Sequence, residues 1–168
     1  MENLTTAYVH RAELWLFIST VVYFLMNGAQ IFETLILVPK WGAAPPESLK
    51  ILLDGKGTGL KPFWIIFHSF HEILFILAII FCWRIEPVRN ALLIIFALHV
   101  GLRVWTIAYF APNIIAFQQI AENPSQMMTD IAARIARWEK LNYWRVVLYM
   151  LLSIALIPLC IKVFHLRP

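Results

Sequence analysis

Charge is scarce in this 168-residue chain: Asp, Glu, Lys and Arg make up 14% of it, against roughly a quarter of an average soluble domain. Hydrophobic residues account for 61%, and the mean hydropathy is +0.72. That pairing excludes an ordinary soluble domain and predicts a membrane protein. Cysteine is also rare. Cys82 and Cys160 have no CxxC spacing and sit in apolar runs, so they read as buried thiols packing as small hydrophobes, not as a metal or redox pair. A clustered basic stripe is missing. The net charge of +4 comes from residues scattered at the ends of apolar runs, where they anchor in headgroups, and nucleic acid is not an expected partner. The N-terminus has Glu2, Glu13 and a single Arg11, without the charged region and cleavage site of a secretory signal, so the first span is expected to be retained. There is no internal repeat or low-complexity tract.

What is present is a series of apolar runs long enough to cross a bilayer, each needing ~20 residues. The first is expected from Leu14 to Val38, stopped by Pro39. A loop from Lys40 to Lys61 follows, with Pro45-Pro46 and the glycines Gly55, Gly57 and Gly59, and no helix pattern of note. The second span starts at Pro62, which is tolerated in a first helical turn, and runs to Trp83. Only Arg84 to Arg89, with Pro87, separates it from the third, Val88 to Phe110, so the two must be antiparallel neighbours. After Pro112 comes an amphipathic region, Asn113 to Lys140, interrupted at Asn123-Pro124. Its Met127, Met128, Ile131, Ile135 and Trp138 recur at helical spacing, as in a segment lying along the interface or supporting the final helix. The last span covers Leu141 to Phe164, with a bend expected at Pro158. The predicted fold is all-α: a single-domain integral membrane four-helix bundle, residues 1–168, with an amphipathic segment before the last span and both termini on one side.

Ionisable side chains interrupt these runs, at a cost of at least a few kcal/mol near a bilayer centre, so they are expected to face a bundle interior. In Phe67-His68-Ser69-Phe70-His71-Glu72-Ile73, residues His68, His71 and Glu72 stand at i, i+3 and i+4 and share a face. His99, Arg103 and Thr106 share one on the third span. Asn27, Gln30, Glu33, Thr34 and Tyr23 fall on one arc of the first, and Asn142, Arg145 and Tyr149 open the last. Alternating span direction puts all of them in the same half of the membrane, and at ~1.5 Å per residue Glu33, His68, His71, Glu72, His99, Arg103 and Arg145 stand roughly 7 to 16 Å below one surface. Four faces at matching depth predict one internal cavity. Trp64, Trp105, Trp138 and Trp144 fit an aromatic belt at that surface.

Three chemistries suit those residue types. His71, His99 and Glu33, with His68 and Glu72 nearby, offer nitrogen and oxygen ligands for a transition-metal ion such as iron, copper or zinc. His71 and His99 could instead ligate one haem from opposite helices. A third arrangement needs no cofactor: His68 or Glu72 as base, with Arg103 and Arg145 clamping an enolate, phenolate or quinone-like oxygen. Asn27, Gln30, Trp138, Asn142 and Tyr149 are then the candidate substrate contacts.

The chain resembles the anthrone-oxygenase-like family of small four-span membrane proteins. The resemblance is carried by Asn27-Gly28-Ala29-Gln30-Ile31-Phe32-Glu33 leading to Val38-Pro39-Lys40-Trp41, by Tyr109-Phe110-Ala111-Pro112-Asn113, and by Arg137-Trp138-Glu139-Lys140-Leu141-Asn142-Tyr143-Trp144-Arg145. It implies oxidation of polyketide anthrones to anthraquinones without an evident organic cofactor, with Asn142 and Arg145 in the final-span motif. The His-x-x-His-Glu group lies outside it. The expected function is a membrane-embedded, oxygenase-like oxidoreductase acting on a hydrophobic aromatic or quinone-like small molecule; the alternative is a haem- or metal-binding electron-transfer or sensor protein. The expected setting is the lipid bilayer of a plasma or inner membrane, crossed several times, with homo-oligomerisation left open. A slight excess of Lys and Arg places the surface above the polar residues in the cytoplasm.

Overall fold

The computed structural model describes residues 4–53, 60–126 and 129–167. Gly55, Gly57, Gly59, Met127 and Met128 lie outside them. Among the described residues there is no strand, and four helices are long and apolar enough to cross a membrane: α1 (Thr6–Gly42), α2 (Leu60–Phe81), α3 (Glu86–Glu122) and α4 (Ile131–Phe164). The fold is all-α, and a multi-pass position in a lipid bilayer follows from these four helices.

The spans are longer than their prolines suggest. Pro39 does not stop α1, and Pro112 does not stop α3. In each case a π-helical turn precedes the proline, Glu33–Leu37 in α1 and Thr106–Phe110 in α3. The Val38 N–H reaches the Glu33 carbonyl and the Ala111 N–H reaches the Thr106 carbonyl, both i→i−5 bonds. Proline breaks a helix because it lacks an N–H and its ring crowds the i−4 carbonyl. A widened turn just before it relieves that crowding, and the helix continues. The expected amphipathic region is therefore divided: its first part is the end of α3, and its second part is the start of α4. Ile131, Ile135 and Trp138 do share a buried face, but as the first turns of α4 and not as a separate segment. The loop after α1 contains a 3₁₀ turn, Glu47–Leu52, that its composition did not signal. Pro158 lies inside the continuous α4.

The chain divides into two compact units, each drawn from several separated stretches. Unit 1 comprises Met1–Asn27, Ile65–Gly101 and Tyr149–Pro168; unit 2 comprises Gly28–Trp64 and Leu102–Leu148. Unit 1 is inside-out relative to a soluble bundle. Ile66, Ile73 and Ile80 of α2 are exposed, while His68, His71, His99, Asn27 and Ser153 are buried. Apolar side chains facing outward with polar ones paired inside is the distribution a hydrocarbon solvent requires. Cys82, in the turn after α2, is buried, and its Sγ is 3.8 Å from the Ala12 carbonyl. Burial pushes that thiol up to about 12, which keeps it protonated and inert. Arg167 pairs with Glu13, its Nε 2.6 Å from Oε2.

Unit 2 has its own apolar core. Val38 and Trp41 from α1, Leu49 from the 3₁₀ turn, Phe110, Phe117 and Ile120 from α3, and Ile131, Ile135 and Trp138 from α4 form one cluster. Trp138 packs edge-on to Trp41 and Phe110, at 5.2 and 5.4 Å between ring centres, and its indole N–H donates to the Phe110 carbonyl at 3.3 Å. That carbonyl lies within the widened turn of α3, so the indole supports backbone that the turn loosens. At Gly42 an added Cβ would stand 3.3 Å from Ile135 Cγ2, so this end of α1 approaches α4 closely because glycine is there.

Candidate functional site

Within unit 1 all four helices meet at a group of aromatic and ionisable side chains. Tyr23 of α1, His71 of α2 and His99 of α3 have no exposed surface, and Tyr149 of α4 has almost none. Their rings pack directly: Tyr23 on His71 at 4.4 Å between centres, His71 on His99 at 5.2 Å, and His99 on Tyr149 at 5.5 Å. Phe75, one turn along from His71, closes the group at 5.8 Å from that histidine. The facing of His71 and His99 follows from the short connection between α2 and α3, which fixes those helices as neighbours at matching depth.

A hydrogen-bonded chain runs through this group. The Tyr23 hydroxyl is 2.8 Å from His99 Nδ1, and His99 Nε2 is 3.1 Å from Glu72 Oε1. The Glu72 side chain is 27% exposed, so the chain leads from a fully buried phenol to a group with access to its surroundings. With Glu72 as a carboxylate, which only accepts, Nε2 carries the proton and donates, and Nδ1 accepts from the tyrosine. A proton can then pass from phenol to imidazole without rearrangement, the carboxylate stabilising the imidazolium formed. Beside it, Asn27 Nδ2 donates to Ser153 Oγ at 2.8 Å and to the Tyr149 carbonyl at 3.3 Å. His68 is buried one turn earlier on α2.

A second polar group lies wholly in unit 2. Arg145 donates to Asn142 Oδ1 at 2.6 Å and to Thr106 Oγ1 at 3.5 Å, and its guanidinium carbon sits 4.2 Å from the Phe110 ring centre. Asn142 in turn donates to Thr34 Oγ1 at 2.8 Å. Glu33 is hydrogen-bonded to the Trp64 side chain and feels the Arg145 charge. Both π turns supply this group, Glu33 and Thr34 from one, Thr106 and Phe110 from the other. Asn142 is buried within α4. Gln30 is also buried, its Oε1 accepting no hydrogen bond among the described residues.

The candidate residues thus fall into two sets. Unit 1 brings together His71, Glu72 and His99 with Asn27 and Tyr149 and includes His68. Unit 2 brings together Glu33, Asn142 and Arg145 and includes Gln30, Arg103 and Trp138. Of the expected ligand set, His71 and His99 belong to unit 1 and Glu33 to unit 2. Among the described residues no three His, Cys, Asp or Glu side chains gather where they could hold a metal ion. Both ring nitrogens of His99 are already engaged, by Tyr23 and Glu72. Nor do His71 and His99 suit one haem, because rings 5.2 Å apart and packed by Tyr23 and Phe75 leave no slot for a porphyrin. Tyr23 was visible on the polar arc of the first span, but nothing in the sequence singled it out as the partner of His99. Phe110, beneath Arg145, reads in sequence as one more apolar residue at a span end. Compared with known proteins, the chain matches no family model, no curated protein and no solved structure.

Proposed function

We propose that this protein is a membrane-embedded, oxygenase-like oxidoreductase that oxidises a hydrophobic hydroxyaromatic or quinone-forming molecule, with the Tyr23–His99–Glu72 chain as its proton-transfer element. The observation that carries this reading is the buried phenol hydrogen-bonded to an imidazole that is itself hydrogen-bonded to a carboxylate. A base of this kind removes a proton from an activated aromatic C–H or O–H, and positioned acid–base groups contribute typically 10²–10⁴-fold. The resulting electron-rich anion reduces dioxygen, which is the co-substrate. For anthrone the balance is one anthrone and one dioxygen giving one anthraquinone and one water. The resemblance in the Asn142 to Arg145 region supports the same class of substrate.

The test is oxygen uptake and quinone absorbance with anthrone as probe and purified protein in detergent. Wild type is expected to accelerate both, and Tyr23→Phe and His99→Ala to lower turnover by about a hundredfold or more. Full turnover in both variants would overturn the proton-transfer role. A Soret band, or stoichiometric metal lost on His99→Ala, would move the protein to the electron-transfer class.

A further inference from the structure

A cavity of about 430 Å³ in unit 2 is lined by none of the residues used above but by Tyr109 and Asn113 of α3, by Asp130 just before α4, and by Ala133, Arg134 and Arg137 in its first turns. Its volume falls within the ordinary range of small-molecule sites. The cavity is built around a fixed cation. Arg134 donates from Nε to Asn113 Oδ1 at 2.7 Å, and its guanidinium lies 5.7 Å from the Phe117 ring centre. Asn113 is pinned in turn, its Nδ2 donating to the Tyr109 carbonyl at 2.7 Å. Arg137 and Asp130 are exposed at the same cavity.

The position of the cavity along α4 decides what would fill it. Arg134, Arg137, Glu139 and Lys140 crowd the first turns, and from Leu141 to Phe164 only Arg145 and Lys162 are charged. At ~1.5 Å per residue the helix is longer than the ~30 Å hydrocarbon core, and its charged first turns belong at headgroup level. Basic pockets at that level bind lipid phosphates. The exposed Arg137 guanidinium offers bidentate hydrogen bonds to phosphate oxygens and Arg134 adds a second positive charge beside it, while the Asp130 carboxylate, which only accepts, calls for a donor on the same molecule.

We propose that this cavity binds the headgroup of a membrane phospholipid whose phosphodiester is joined to a hydrogen-bond donor, an ammonium or hydroxyl group, with Arg134 and Arg137 on the phosphate and Asp130 on the donor. Phosphatidylethanolamine and phosphatidylglycerol satisfy this; phosphatidylcholine, whose quaternary ammonium has no N–H, does not.

Native mass spectrometry of the delipidated full-length protein, mixed separately with each of the three lipids, tests the proposal. Ethanolamine and glycerol lipids should be retained at least about fivefold better than the choline lipid. Arg137→Gln should lower that retention about tenfold, and Asp130→Asn should abolish the preference over choline. An equimolar soluble glycerophosphoethanolamine should leave the lipid adduct in place; displacement by it would show that the site takes a free phosphodiester and would overturn the lipid assignment. Equal retention of all three lipids, or undiminished retention by folded Arg137→Gln, would overturn it as well. Should Arg137→Gln lose its helical circular dichroism, wild-type discrimination between the lipids decides.

Discussion

At the scale of single residues, Tyr23 and Asn142 separate chemistry from structure. Tyr23→Phe removes one hydroxyl and keeps the ring that packs on His71 and His99. Interhelical hydrogen bonds in membranes contribute about 0.6 kcal/mol on average and up to roughly 2, whereas a hundredfold loss of turnover corresponds to about 2.7 kcal/mol. The variant is therefore expected to lose much more activity than stability, measured as thermal unfolding in the same detergent. Asn142→Ala should show the opposite balance. It strips Arg145 of an acceptor and Thr34 of a donor in a buried setting, so about 1–3 kcal/mol of stability should be lost. Equal unfolding midpoints for Asn142→Ala and wild type would mean that this bridge is not structural. The pairing of His71 with His99 was legible in sequence because spacing put each on a polar face and a short turn made the helices neighbours. The engagement of both His99 nitrogens was not, since hydrogen-bond partners depend on rotamers that no periodicity records.

At the scale of elements, the prolines carried a signal whose meaning the sequence alone did not convey. Pro39 and Pro112 each stand two residues after the end of a π turn, in the local sequences Leu37-Val38-Pro39 and Phe110-Ala111-Pro112. Read as helix ends, they shorten two spans; in the structure they mark where a continuous helix widens. The difference is physical. A proline ends a helix only if the neighbouring carbonyls cannot be rearranged, and an i→i−5 turn rearranges them. The widened turns also supply Glu33, Thr34, Thr106 and Phe110 to the Arg145 group, so their geometry sets that group. Pro112→Ala restores an N–H able to bond the i−4 carbonyl and removes the reason for the wide turn. Helix content by circular dichroism should stay at the wild-type level and the unfolding midpoint should not fall, because the helix then continues through an ordinary turn. A lower helix content or a lower midpoint in Pro112→Ala would mean that α3 needs the widened turn. Gly28 and Gly101 are different: a Cβ would meet nothing within 4 Å at either, so alanine there should stabilise each helix by about 0.5–1 kcal/mol.

At the scale of the whole molecule, hydropathy sufficed for the number of spans, because ~20-residue apolar runs have few alternatives in a bilayer. The division of the polar residues into two groups was not legible, because depth along a helix does not say which neighbours a side chain will find. Four spans, an even number, put both termini on the same side of the membrane. The end of α1, the start of α2, the connection between them and the start of α4 carry Lys40, Lys50, Lys56, Lys61, Arg134, Arg137 and Lys140, against Arg11, Arg84, Arg89, Lys162 and Arg167 on the side of the termini. Lys and Arg, not net charge, set orientation, so the ion pair of Arg167 with Glu13 does not discount that arginine. The excess is two positive residues, enough to favour a cytoplasmic α1–α2 connection and termini outside the cytoplasm. A reporter fused at the C-terminus should accordingly read non-cytoplasmic. Because the margin is two charges, adding three lysines just before Thr6 should reverse it and shift a measurable fraction of molecules to the opposite topology. A cytoplasmic signal from the unmodified fusion would invert the assignment and place the lipid-binding cavity in the outer leaflet.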